Sequence, residues 1–169
     1  MPIKPTRQRP ASAFFRAIRH PLKSRLFLLV NLPSAFFSGL RVTDADADRC
    51  AVTVPYKWFT RNPFRSTYFA CLSMAAEMST GALAMAQVYG TRPAISMLVV
   101  RTEAEYFKKA TGRTQFLCTD GAAIRDAIGR ARTTGEAQTI RARSVGTNAD
   151  GERVAEFFIT WSFKVKQRQ

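Results

Sequence analysis

Between Arg65 and Gln87 the chain carries one charged side chain, Glu77, set among Ser, Thr, Gly, Ala, Leu and Met. At helical spacing Ala70, Met74, Gly81 and Ala84 share its face, so a sheet laid over that face would strip water from the carboxylate and raise its pKa. A buried carboxylate is costly unless it is hydrogen-bonded or opens onto a pocket or a seam between subunits. Placed there, Glu77 can act as a general base or a nucleophile. The alternative is that it pairs with an Arg or a backbone group across an oligomer interface and does no chemistry, since perturbed carboxylates mark sites only statistically. Arg61 and Arg65 flank the start of the same segment, an end of a helix that favours anions; solvated charges without a ligand are the competing reading. Asn62 followed by Pro63 is an ordinary way to start a turn.

Other chemistries are poorly supplied. The one histidine, His20, stands beside Pro21 in a basic N-terminal stretch, so no Ser-His-Asp or Cys-His arrangement is available in the body of the chain. Cys50, Cys71 and Cys118 are far apart and in no metal-ligand spacing, which suggests neither a disulfide framework nor a zinc site. No metal or separate cofactor is expected, and the thiols fit a reducing cytoplasm.

The formal charge of +14 attracts phosphates, nucleic acids, anionic lipid or acidic proteins without choosing among them. The surplus is uneven: Lys4, Arg7, Arg9, Arg16, Arg19, Lys23 and Arg25 all precede the first acid, Asp44. A nucleic-acid-binding protein would rest on charge alone, with no zinc-finger, RNP-like or helix-turn-helix pattern beside it, so no nucleic acid is expected. The acid-free start also has the composition of an organelle transit peptide, but no secretory signal is convincing.

The elements that must position Glu77 follow from periodicity. With 46% hydrophobic residues, 13 of them Phe, a chain of 169 residues can bury one core. Residues 11–38 read as short helices broken at Pro21 and Pro33, packed over one end of the core, with contact at a membrane surface as the alternative. From Leu40 the period becomes two: Val42 begins a strand, the acidic turn Asp44 to Asp48 interrupts it, and Cys50, Val52, Val54, Tyr56 and Trp58 alternate with smaller or polar neighbours. Pro55 hints at an edge or bulge. Ser66 and Thr67 are natural N-caps for a helix running to about Val88 and ending near Gly90. It is long enough to span a bilayer, but Glu77 at its midpoint favours a buried core helix. Strands are predicted from Ile95 to about Phe107, over Gln115 to Cys118, around Ile140 to Val145 and through Ala155 to Val165, with a short helix from Asp120 to about Arg132. One apolar helix with five or six strands buries itself only if the sheet curls around it.

That order, in the α+β class, resembles the hotdog fold. "LVNLPSAFFSGLRV" is similar to the opening of bacterial hotdog-domain proteins of the thioesterase class. The central stretch resembles the phenylacetyl-CoA-type hotdog thioesterases, in which an Asn, a His six residues on and a carboxylate nine residues later fall on Asn62, Tyr68 and Glu77; "EAEYFKKATG" resembles their next strand. The resemblance implies an acyl-CoA or acyl-carrier thioesterase, with coenzyme A entering only as part of the substrate. Glu77 would be base or nucleophile, Asn62 would orient water or substrate, and Tyr68 would lie near the oxyanion; Arg61, Arg65 and Met74 would contact substrate. It also implies a homodimer that buries its site and one sheet edge between subunits. Where those enzymes have His-Gly-Gly, this chain has Tyr68, Phe69 and Ala70, a departure that fits an acyl-binding protein without turnover as the alternative. Residues 1–21 are expected as a basic arm, 22–165 as the hotdog domain and 166–169 as a basic tail.

Overall fold

The computed structural model describes residues 9–166; most of the basic tail and the first eight residues of the arm lie outside that range. Three helices lead into the sheet: α1 (Arg9–Arg19), α2 (Pro21–Asn31) and α3 (Pro33–Ser38). Pro21 and Pro33 open the second and third, where the missing N–H costs nothing. His20 caps α2, its Nδ1 accepting from the Lys23 amide. Phe15 and Ile18 of α1 and Leu28 of α2 are buried in the core, whereas Leu22, Leu26 and Val30 of α2 face outward. Gly39, at φ +80°, ends α3 in the left-handed conformation that its lack of a Cβ permits.

The remaining elements are β1 (Arg41–Ala45), β2 (Cys50–Val54), α4 (Phe69–Val88), β3 (Ile95–Tyr106), β4 (Thr114–Cys118), α5 (Gly121–Thr134), β5 (Gln138–Thr147) and β6 (Arg153–Val165). The strands form one sheet in the order β1-β2-β4-β5-β6-β3. Every neighbouring pair is antiparallel. The sheet curls around α4, which touches β2, β3, β4, β5 and β6. This is the hotdog fold.

Small residues make that wrapping possible. Ala75, Ala76, Ser79, Thr80 and Ala84 of α4 are fully enclosed, so strands approach the helix closely. Two buried polar contacts fix its rotation: the Ser79 and Ser144 hydroxyls lie 2.7 Å apart, and the Trp161 indole N–H donates to Thr80 Oγ1 at 2.9 Å. The length and hydropathy of α4 would allow it to cross a bilayer, but here it is the core helix.

Three sequence expectations need correction. The second strand stops at Val54 rather than continuing to Trp58, because Pro55 cannot donate to the ladder and Thr60 closes a tight turn, accepting from the Lys57 amide and donating to the Pro55 carbonyl at 2.8 Å. Trp58 therefore projects outward, 76% exposed. Pro55 marks no edge either: β2 is paired on both sides, and the irregularity lies in β1 between Val42 and Asp44. Ser66 and Thr67 do not cap α4, since Thr67 Oγ1 donates to the Ala110 carbonyl and the Ser66 hydroxyl to Asn62 Oδ1. Tyr68 is the N-cap residue, with no side-chain cap.

Candidate functional site

Glu77 lies two turns into α4, half-buried, on the stripe of the helix that the sheet leaves partly open. Among the described residues its carboxylate has neither an ion-pair nor a hydrogen-bond partner. Burial alone pushes its pKa above the usual carboxylate range. Gly81, one turn on, makes room for it: a Cβ at residue 81 would stand 3.0 Å from Glu77 Oε1 and 3.2 Å from Trp161 Cζ2. Met74, one turn before Glu77, is half-buried and packs against the core.

Asn62 and Tyr68 belong to a different neighbourhood. They line a pocket of about 580 Å³ at the start of α4, together with Phe64, Phe69, Leu72 and Tyr106. Glu77 is not in its wall. Asn62 Oδ1 accepts from the Phe64 amide, the Ser66 amide and the Ser66 hydroxyl, so the carboxamide oxygen is used in building the loop. Tyr68 is half-exposed, its ring edge-on to Phe69 at 4.9 Å, and its hydroxyl makes no hydrogen bond to a described residue. With no side-chain cap at Tyr68, the first amides of α4 are open at this end, where the helix dipole favours negative charge.

Arg61 and Arg65 are exposed at the same loop but stand outside the pocket wall. Arg61 bridges to Thr67 through the backbone, and Arg65 takes a left-handed conformation at φ +59°. The cations that do line the pocket are Lys108 and Lys109. Lys108 is held by Glu152 at 2.5 Å, and Lys109 is exposed. Sequence reasoning missed both because they follow β3, about forty residues from the loop they complete. The signal was the stretch Glu103 to Gly112, which carried the family resemblance without suggesting a contact to the start of α4.

Among the described residues the edge strand β3 is paired only with β6. It presents Leu98 and Val100 outward, at 64% and 52% exposure. Among the described residues no cluster of His, Cys, Asp and Glu could hold a metal ion. Cys50 and Cys118 prove to be direct cross-strand partners on β2 and β4, both buried as free thiols and pushed up to about 12 by that burial.

A family model described as a domain of unknown function, DUF4442, matches residues 24–163. The chain belongs to that family. The match begins inside α2 and ends two residues before the end of β6, so this DUF4442 domain comprises the central helix and all of the sheet but the last two residues of β6. A comparison with curated proteins finds no match. Among solved structures, the domain is similar to a Pseudomonas aeruginosa protein of unknown function described as a probable thioesterase, at 21% identity and a TM-score of 0.73, over 86% of this chain and 97% of that one. It is similar also to a thioesterase of Haemophilus influenzae, at 13% identity and a TM-score of 0.61, over 85% and 92%. A thioesterase of Pseudomonas aeruginosa, solved as a point mutant, aligns at 15% identity and a TM-score of 0.62, over 85% and 93%. Identities this low establish a common fold.

Proposed function

We propose that this DUF4442 domain hydrolyses acyl thioesters, with Glu77 as general base or nucleophile. The observation that carries this reading is the state of Glu77: the one acid of the central helix, poorly solvated, without a partner among the described residues, on the open stripe of α4. As base, the carboxylate takes a proton from water, and the hydroxide attacks the thioester carbonyl. The tetrahedral oxyanion then collapses with cleavage of the C–S bond, and the thiolate leaves and is reprotonated. Open amides at the start of α4 are suited to the oxyanion, with Tyr68 beside them; the aromatic wall of the neighbouring pocket suits an acyl chain, and Lys108 and Lys109 suit an anionic carrier group. The substrate is coenzyme A or acyl-carrier thioester.

The pocket and Glu77 are separate features of one chain, and the hotdog thioesterases that the sequence resembles complete their site between two subunits. The outer edge of β3, unpaired among the described residues and bearing exposed Leu98 and Val100, supports a homodimer formed along that strand. Acyl-thioester binding without turnover is the second reading. It is favoured by the engagement of Asn62 Oδ1 within its own loop, which leaves only the Asn62 NH₂ to orient water.

The test is release of free thiol from acyl-CoA esters of graded chain length by wild-type protein and by Glu77→Gln. Turnover by the wild type, lost in a folded variant, supports hydrolysis at Glu77. Binding of the esters by both proteins with no thiol released supports the second reading instead.

A further inference from the structure

Beyond the Glu77 region a second cavity, of about 940 Å³, opens at the other end of α4. Arg16 and Arg19 of α1, Arg92 after α4, and Arg125 and Arg132 of α5 all reach its wall. Segments more than one hundred residues apart in sequence thus deliver five guanidiniums to one concavity. Among the described residues two carboxylates share the wall, and both are already held. Asp46 Oδ1 accepts from the Asp48 and Arg49 amides, and its other oxygen faces Arg49, which lies outside the cavity. Asp48 pairs with Arg125 at 3.3 Å, and Arg125 also donates to the Ala47 carbonyl.

Arg16, Arg19, Arg92 and Arg132 have no ion-pair or hydrogen-bond partner among the described residues. Arg19 does act on Asp46 from a distance, as one of the causes that lower its pKa. Three of the four sit in the last turns of helices, where a cation complements the dipole. That role asks nothing of their convergence. Packing like charges around one hollow costs energy unless an anion fills it.

We propose that this cavity binds a small molecule carrying two or more phosphate groups. Guanidinium forks match phosphate oxygens two at a time, and a diphosphate has enough oxygens to receive several forks from different sides. The volume is of the size that holds a nucleotide. The wall includes Ala86, nine residues beyond Glu77 and so about 13 Å along the helix, which makes this a site separate from the carboxylate. The phosphates have two possible sources, a free nucleotide or the nucleotide end of a larger substrate, and the inference stands whether or not the protein hydrolyses thioesters.

The test is calorimetric titration of the full chain at 0.15 M salt with pyrophosphate, ADP, free coenzyme A and inorganic phosphate, repeated on Arg92→Ala/Arg132→Ala and on Arg113→Ala/Lys164→Ala, two basic residues that line neither pocket. All four residues are exposed, so both variants should fold. The expected result is saturable binding of at least one diphosphate, at least tenfold tighter than inorganic phosphate, weakened tenfold or more in the first variant and unchanged in the second. Coenzyme A competing with pyrophosphate identifies the nucleotide end of a substrate as the source, whereas pyrophosphate or ADP binding without such competition identifies a free nucleotide. Binding no tighter than inorganic phosphate, or equal loss in both variants, means a diffuse basic surface and overturns the proposal.

Discussion

Gly81 lies one helical turn beyond Glu77, and a Cβ there would press against the carboxylate, 3.0 Å from Oε1. The Trp161 indole bounds the same space at 3.2 Å, and its N–H is tied to Thr80. The carboxylate therefore rests between its own helix and β6.

Replacing Gly81 with Ala tests that relationship. A methyl group forces the carboxylate or the indole to give way, and the carboxylate is the freer of the two because no described residue bonds it. The gain in helix propensity, about 1 kcal/mol, offsets much of the strain, so thermal stability should change little. Thiol release should fall roughly tenfold through misplacement of the base. Full activity in Gly81→Ala would show that the position of Glu77 beside residue 81 does not matter to the reaction.

Glu77→Gln should stabilise the protein at neutral pH. Burial raises the Glu77 pKa in the folded chain above its unfolded value, so the folded state holds this proton more tightly. Relative stability from this group is then fully present below the unfolded value, about 4.3, and is lost as pH rises through the folded value. The difference in melting temperature between Glu77→Gln and wild type should be largest near pH 7 and shrink towards zero near pH 4. A difference independent of pH would mean that Glu77 titrates normally.

Thr114 is fully buried at the start of β4, and its hydroxyl oxygen is the one buried side-chain polar atom among the described residues without a hydrogen-bond partner. An unsatisfied buried hydroxyl costs on the order of 1 kcal/mol or more. Thr114→Val keeps the shape and the β-branch and should leave the urea midpoint unchanged or raise it. A clear fall would reveal a partner, such as a bound water, for that hydroxyl.

Cys50 and Cys118 face each other across β2 and β4 with their thiols pushed up to about 12, and burial raises Cys71 as well. At pH 8 the thiolate fraction of the first two is on the order of one in ten thousand, so alkylating reagents should leave them untouched in the folded protein. Mass spectrometry after brief iodoacetamide treatment should show labelling of Cys50 and Cys118 only in denaturant. Rapid labelling of either in native buffer would mean that the β2–β4 region opens easily.

Periodicity and punctuation already contain the order of elements. The prolines at 21 and 33 divide the leading helices, the alternation from Ala155 to Val165 specifies β6, and the small-residue run from Ser66 and Thr67 to about Val88 reads as one buried helix, two to three residues longer at its start than the structure has it. These signals are local, and helix and strand obey local rules. Glu77 was legible for the same reason, as a lone charge in an apolar run.

What the sequence does not contain is which distant residues meet. Tertiary folding alone set Lys108 and Lys109 beside the Asn62 loop, made Cys50 the cross-strand partner of Cys118 and drew five arginines around one cavity. It also made Glu156 of β6 a buried carboxylate held by Arg143 and, at 3.1 Å, by Arg153. Each of these depends on strand order and on the curl of the sheet about α4, which are settled by how the whole chain buries its apolar surface at once.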